Sequence, residues 1–368
     1  MSTGSTAESI ATERPADRRV DEAALGDLVG QAVGDFGAIL NGTLVVMGDR
    51  LGLYRALAEA GPLTADELAA RTATVARNVT EWASAQAAAG YVTYDGDGRF
   101  SLSPEQAEAL TNEDSPAFVV GGFQAMSAAT RSVDELTEVF RTGAGFAWGR
   151  HDHDLFHGTE RFFRPGYQAN LVSSWIPSLT GVEARLVAGA RVADVGCGHG
   201  ASTLIMAEAY PASTFVGFDP HQPSIQAARA AAEAAGLGDR VRFEVGTAKD
   251  FGGHGWDLVC FFDCLHDMGD PVGALVHTRQ ALTDDGAVLL VEPFAGDRLE
   301  DNLNPVGRVF YAASTLICTP ASQSEEVGLA LGAQAGEARW AAVATQAGMS
   351  RLRRATETPF NLVLEIRP

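Results

Sequence analysis

The stretch from Arg191 to Asp219, RVADVGCGHGASTLIMAEAYPASTFVGFD, constrains this chain more than any other. An apolar run, VADVG, leads into glycines at 196, 198 and 200, and a helical stretch, ASTLIMAEAY, follows them. Glycine at a strand-to-helix turn tolerates positive φ and lets the backbone approach a ligand closely. The first amides of the next helix then face that ligand. A second apolar run, STFVGFD, ends on Asp219, about twenty residues on, where a carboxylate accepts both hydroxyls of a ribose. Strand, glycine turn, helix and acid-tipped strand predict the ligand-binding edge of a parallel α/β sheet.

The alternation continues. VRFEVG, WDLVCFFD and AVLLVEP read as further apolar strands separated by helical stretches, the pattern of a doubly wound sheet. RLRRAT and FNLVLEIRP close the chain across a short turn, which predicts a terminal hairpin that inserts an antiparallel strand. The expected unit is a Rossmann-like, seven-stranded domain over residues 186–368.

Two ligand classes fit such a loop. Gly196, Gly198 and Ala201 also satisfy the dinucleotide pattern, which is the nicotinamide reading. Asp194 ahead of the glycines, where a carboxylate can meet the ammonium of an amino acid, favours S-adenosylmethionine (SAM). So do the GxGxG run and the two terminal strands in place of further βα units.

At 368 residues the chain has room for two domains. Residues 1–20 are polar, without the apolar stretch of a secretory signal, and read as a disordered tail; no apolar run approaches the roughly 18 residues that span a bilayer. A cytoplasmic location is therefore expected. Residues 21–110 read as a winged-helix and dimerisation domain. Thr64 and Glu67 make a capping box, a turn lies near Thr72–Thr74, and YVTYDGDGRFSLS forms a hairpin wing turning at Asp-Gly. A winged helix invites a DNA-binding reading, but Val20–Leu110 holds 13 Asp and Glu against five Arg. The second helix offers only Arg77 and also carries Glu81. With a net charge of −20 and pI near 4.7, the chain lacks the basic face that counterion release requires. No nucleic-acid or membrane partner is expected.

Residues 111–185 read as a helical connector and lid, with a helix after Pro165. His151, His153 and His157 stand there with Asp152, Asp154 and Glu160. These are metal-ligand types, but a solvated polar connector explains them, and no metal is expected. The four cysteines, Cys197, Cys260, Cys264 and Cys318, fit neither a disulfide framework nor a usual zinc spacing and read as core thiols.

LNGTLVVMGDRLGLYRAL, GTERFFRPGYQANL, FFDCLHDMGDPVGA, VEPFAGDRLEDNLNPVGR and ALGAQAGEARW, with the glycine loop, carry a resemblance to a known family. From Arg191 to Pro368 the chain resembles class I SAM-dependent methyltransferases. With the winged helix in front, it is similar to small-molecule O-methyltransferases and to an actinobacterial group of winged-helix methyltransferases. The resemblance implies that Asp194, Gly196, Gly198 and Gly200 contact the methionine and ribose of SAM, with Asp219 on the ribose diol. It places the adenine near Pro220, His221, Thr247 and Ala248, and Asp263 beside the methionine end. Many relatives carry an acid at Thr247.

An oxygen nucleophile must lose its proton, and a neutral histidine is suited to take it. His266, in DCLHDMGD just past the fourth strand, would lie at the carboxyl edge of the sheet. It matches the catalytic histidine of the resembled O-methyltransferases; capping the next helix is its alternative role. Asp267 would orient it, and Gln334 or Glu337 would hold it, only Glu337 strengthening it as a base. Acceptor-pocket candidates are Phe162, Phe163, Tyr167, Asn170, Arg298, Glu300, Asn302 and Tyr311, for which interdomain packing is the competing explanation. The expected function is methyl transfer from SAM to a small molecule, most simply at oxygen. A SAM-sensing transcriptional regulator and a SAM-dependent enzyme that transfers no methyl are the alternatives. Apolar helices between Leu28 and Ala58 predict a homodimer.

Overall fold

The computed structural model describes residues 19–368; the expected tail at 1–20 falls almost wholly outside them. Two compact units divide at Asn41–Gly42. The first contains the N-terminal part of one long helix, Glu22–Arg50. By length and composition this helix is apolar enough to cross a membrane. It contains no unbroken apolar run of spanning length; interspersed Ala, Val, Leu and Ile raise its mean hydropathy without making one.

The second unit opens with the winged helix. Helices Leu53–Ala60, Ala65–Thr72 and Ala76–Ala88 pack beside a small sheet of β1 (Leu63–Thr64), β2 (Thr93–Tyr94) and β3 (Arg99–Ser101), in the order β1-β3-β2. The capping box forms, since Thr64 accepts the Glu67 N–H and Glu67 accepts the Thr64 N–H. In the wing, Asp95 accepts the N–H groups of Asp97 and Arg99 between two positive-φ glycines. The core gathers Val45, Leu53, Tyr54, Leu57, Leu68, Val79, Trp82 and Phe100. Gly48 has to be glycine there: a Cβ would lie 2.5 Å from the Trp82 ring.

The connector is more regular than expected. A helix starts at His153, capped by Asp152, runs through Pro165 to Asn170 and passes into a wider π turn, Leu171–Trp175. The sequence reading started this helix after Pro165; the structure tolerates the proline within it. Helix Val120–Ala129 lies against it, with Gly121 and Gly158 at the contact, where a Cβ would come within 2.5 Å of the opposing backbone. Arg161, buried at the same place, pairs with Asp49 and Glu113 and donates to Gln124.

The C-terminal sheet has seven strands: β4 (Arg191–Val195), β5 (Thr214–Asp219), β6 (Val241–Val245), β7 (Trp256–Phe262), β8 (Leu282–Pro293), β9 (Arg351–Glu357) and β10 (Asn361–Arg367). Their order is β6-β5-β4-β7-β8-β10-β9. The first five are parallel, while β10 inserts antiparallel between β8 and β9, with Val363 opposite Val291. Alternate residues feed two cores, Val192, Phe215, Cys260 and Leu289 on one face and Ala193, Val259, Phe261 and Leu290 on the other, as period-two side-chain geometry requires. Strand order reverses at β4, so a crevice opens beyond its carboxyl end.

Candidate active site

That crevice is a cavity of about 470 Å³. Its floor is the glycine loop. Gly196, Gly198 and Gly200 have φ of 77°, 52° and 84°. A Cβ on Gly196 would lie 2.7 Å from Cys264 Sγ, and one on Gly200 2.5 Å from the Phe243 ring. At Gly198 nothing stands within 4 Å, leaving the backbone open where the chain passes the cavity.

Asp194 is buried at the end of β4. Ser202 and Thr203, in the first turn of the next helix, donate hydroxyl hydrogen bonds of 2.7 and 2.6 Å to its Oδ2. Oδ1 is equally buried and among the described residues has no partner. Burial pushes the carboxyl up to about 6. A buried acceptor left open is costly unless a donor arrives, and an ammonium group is such a donor. Asp219 accepts the N–H groups of Gly198 and His221, at 2.9 and 2.8 Å, and lines the cavity.

Asp263, at the end of β7, has φ of 50°, a left-handed conformation uncommon for a residue with a side chain. Tyr167 and Asn361 donate to its two oxygens at 3.1 and 3.0 Å, and burial pushes its carboxyl up to about 8. Asp267, also raised by burial, stands at about 7. The cavity wall carries Glu160, Asp219, Asp263, Asp267 and Glu325, and among the described residues no Arg or Lys lines it. Such a wall offers a pyrophosphate no cationic partner, while its carboxyls can ionise as a cation binds. The residues present fit an amino-acid sulfonium better than a dinucleotide.

His266 sits on a short turn, Leu265–Asp267, directly after β7. Glu292, buried at the end of β8, bridges to it twice: Oε1 accepts the Leu265 N–H at 3.0 Å and Oε2 lies 2.5 Å from His266 Nδ1. His266 Nε2 faces Cys318 Sγ at 3.3 Å. Burial disfavours a charged ring, but Glu292 and Cys318 outweigh it and hold the imidazole well above its ordinary value. Cys318 closes a π turn, Ser314–Cys318, a helix defect common at functional sites.

The partner of His266 is therefore neither residue expected from the sequence. Glu337 pairs with Arg354 at 2.8 Å, and Gln334 donates to the carbonyls of Phe294 and Ala333. The sequence reading placed the partner in the segment 334–337, whereas VEP, with a glutamate after an apolar run, held the signal. Of the cofactor candidates, Gly196, Gly198, Asp219, Pro220 and Asp263 line the cavity. His221 lies tilted against the Phe156 ring, 4.4 Å between centroids. Thr247 lies outside the wall, where its N–H and hydroxyl both meet Asp250 Oδ1 at 2.7 Å, and Ala248 packs on the core.

Among the acceptor candidates, Phe163 and Tyr167 line the cavity. Phe162 packs over Gly122, and Asn170 donates back to the Gly166 carbonyl of its own helix. Arg298 and Glu300 form an exposed ion pair. Buried Asn302 holds the backbone of Gly296 and Arg298, and Tyr311 lies on helix Pro305–Ala313 outside the wall. An insertion after a sheet strand need not fold over the crevice; this one spends its amides on its own turn. Trp148, Phe156, Met268, Ala321 and Ser324, which sequence reasoning missed, complete the wall. They come from segments that no periodicity linked to the sheet.

Residues 186–330 match a family model described as a methyltransferase domain, and residues 40–112 one described as an Rv2258c-like winged HTH domain. No curated protein sequence matches the chain. Its fold is similar to that of solved structures. One is a mitomycin 7-O-methyltransferase (20% identity, TM-score 0.70, covering 94% of this chain and 99% of that one). Another is human N-acetylserotonin methyltransferase in complex with SAM (17%, TM-score 0.68, 97% and 99%). A third is an O-methyltransferase from neocarzinostatin biosynthesis with S-adenosyl-L-homocysteine and 1,4-dihydroxy-2-naphthoic acid (21%, TM-score 0.62, 89% and 95%).

Proposed function

From the premise that this chain carries a SAM-dependent methyltransferase domain behind a winged helix, we propose that it methylates an oxygen of a small, flat acceptor, with His266 as general base. The observation that carries this reading is the Glu292–His266 pair, set in the turn whose neighbours Cys264, Asp267 and Met268 form the cavity wall. When bound, SAM would supply an electrophilic methyl group. Asp194 Oδ1 would accept the ammonium of its methionine part and Asp219 would accept from the ribose hydroxyls. Glu292 fixes the ring and keeps Nδ1 protonated, so the acceptor's proton passes to Nε2. The acceptor hydroxyl takes the place of the Cys318 thiol there. Phe163, Tyr167 and Trp148 supply aromatic surface, in keeping with the naphthoic acid in the neocarzinostatin relative.

The reading includes the domain boundaries at 21–110, 111–185 and 186–368, a cytoplasmic location and a homodimer. Leu28, Val33, Phe36 and Ile39 are exposed along one helical segment, and among the described residues of their own unit nothing buries them. It excludes a nucleic-acid partner, since Arg77 on the second winged-helix helix is paired with Glu81 at 2.5 Å. The test is methyl transfer from labelled SAM to a panel of phenolic and carboxylic metabolites, with His266→Ala alongside. Turnover falling by about 10²–10⁴ supports the base; undiminished turnover removes His266 from the mechanism. Conversion without S-adenosylhomocysteine, or salt-sensitive promoter binding, would favour one of the two alternative functions.

A further inference from the structure

We infer that His157, Glu160 and His199 form a binding site for a divalent transition-metal ion such as Zn²⁺ at the rim of the cavity. One ligand atom from each of the three lies within 4.8 Å of the others. They come from two elements. His157 and Glu160 are three residues apart on helix His153–Asn170 and so share a face. His199 stands in the glycine loop between Gly198 and Gly200, whose positive φ angles fix the direction of the chain on either side.

Two imidazoles and a carboxylate make a nitrogen- and oxygen-rich set of borderline hardness, suited to zinc or cobalt. Tetrahedral coordination at about 2.0–2.1 Å sets ligand atoms about 3.3–3.5 Å apart. Rotation of the side chains closes the remaining gap. Their present partners do not prevent it. His221, His266 and His277 each hold a hydrogen bond, whereas among the described residues His157 and His199 hold none. Glu160 has one ion pair, at 3.4 Å to Arg164, whose closer partner is Glu113. Among the described residues no Arg or Lys lines the cavity beside the site.

Three protein ligands leave a coordination position open to water or a bound molecule. Glu160 and His199 also line the cavity. A metal there would tie the connector helix to the glycine loop and make metal loading and cofactor binding depend on one another. The expected polar connector thus contains two ligands of a site whose third lies in the glycine loop.

The test is titration of the tag-free, full-length chain with Co²⁺, followed by visible absorption, and with Zn²⁺ as competitor. One Co²⁺ per chain with the intense bands of four- or five-coordination, displaced by Zn²⁺, is the expected result. His157→Ala, Glu160→Gln and His199→Ala should each weaken binding by at least about tenfold, while His153→Ala, one turn away, should leave it intact. Circular dichroism checks that the variants fold. S-adenosylhomocysteine should shift the Co²⁺ midpoint. Absence of one-to-one binding at about 100 μM, or equal affinity in His157→Ala and His199→Ala, overturns the site. Loss in His153→Ala reassigns its ligands and overturns this set.

Discussion

Replacing Glu292 with glutamine isolates what the carboxylate does for His266, because size and shape are nearly kept while the charge is removed. In the native protein burial opposes a charged imidazole, and Glu292, with Cys318, overcomes it. A hydrogen bond to a charged group contributes about 1.5–3 kcal/mol. At about 1.36 kcal/mol per unit, Glu292→Gln should lower the His266 pKa by about one to two units. Glu292 raises the pH at which the native ring reaches its basic form; the variant should reach that form at lower pH. Stability follows the same sign. The native pair stabilises the fold below the ordinary histidine value of 6.5, and that contribution fades as pH rises through the raised value. Ring-proton NMR titration reads the midpoint directly, with His266→Ala assigning the resonance, and needs no knowledge of the acceptor. A midpoint within a few tenths of the native one would refute the reasoning, since the pair would then contribute no differential stabilisation. Glu337→Gln is the matched comparison and should leave the His266 midpoint in place, because Glu337 pairs with Arg354.

Asp194→Asn should weaken SAM by about 10- to 150-fold, the loss of one hydrogen bond to a charged group, as calorimetry would read; unchanged affinity would remove Asp194 from the ammonium contact. Asp263 and Asp267, raised by burial to about 8 and about 7, favour the fold in their neutral forms. The ligand-free protein should therefore lose stability as pH rises from about 4 to 8, and S-adenosylhomocysteine should recover part of it; a flat melting profile over that range would count against it. Gly200→Ala combines a φ of 84° with a contact of 2.5 Å to Phe243. The left-handed backbone alone should cost about 1–2 kcal/mol, visible as a lower urea midpoint at unchanged slope. Cys318→Ala removes the thiol from His266 Nε2 and should lower the His266 midpoint, less than Glu292→Gln does; the same NMR titration decides it.

Much of this protein is local and was legible in the chain. The apolar runs named the strands because a buried parallel strand has no polar face. The capping box at Thr64 and the Asp-Gly wing announced themselves because they are satisfied within a few residues. The glycine loop marked the ligand edge, since Gly196 and Gly200 answer a steric demand of adjacent structure that no other residue meets. Pairings across strands were not legible. Glu292 lies 26 residues from His266 and reaches it only because β7 and β8 are adjacent and parallel; Glu337, equally acidic, is carried to Arg354 instead. Arg298, Glu300 and Asn302 looked like site residues by type, but their loop turns on itself. His157 and His199 belong to segments forty-two positions apart that no spacing rule joins. Sequence determined where strands begin and where the glycine turn lies, because those choices are made against near neighbours. Tertiary structure decided which carboxylate holds His266, which aromatics wall the cavity and which histidines meet, because each contact depends on how distant elements pack.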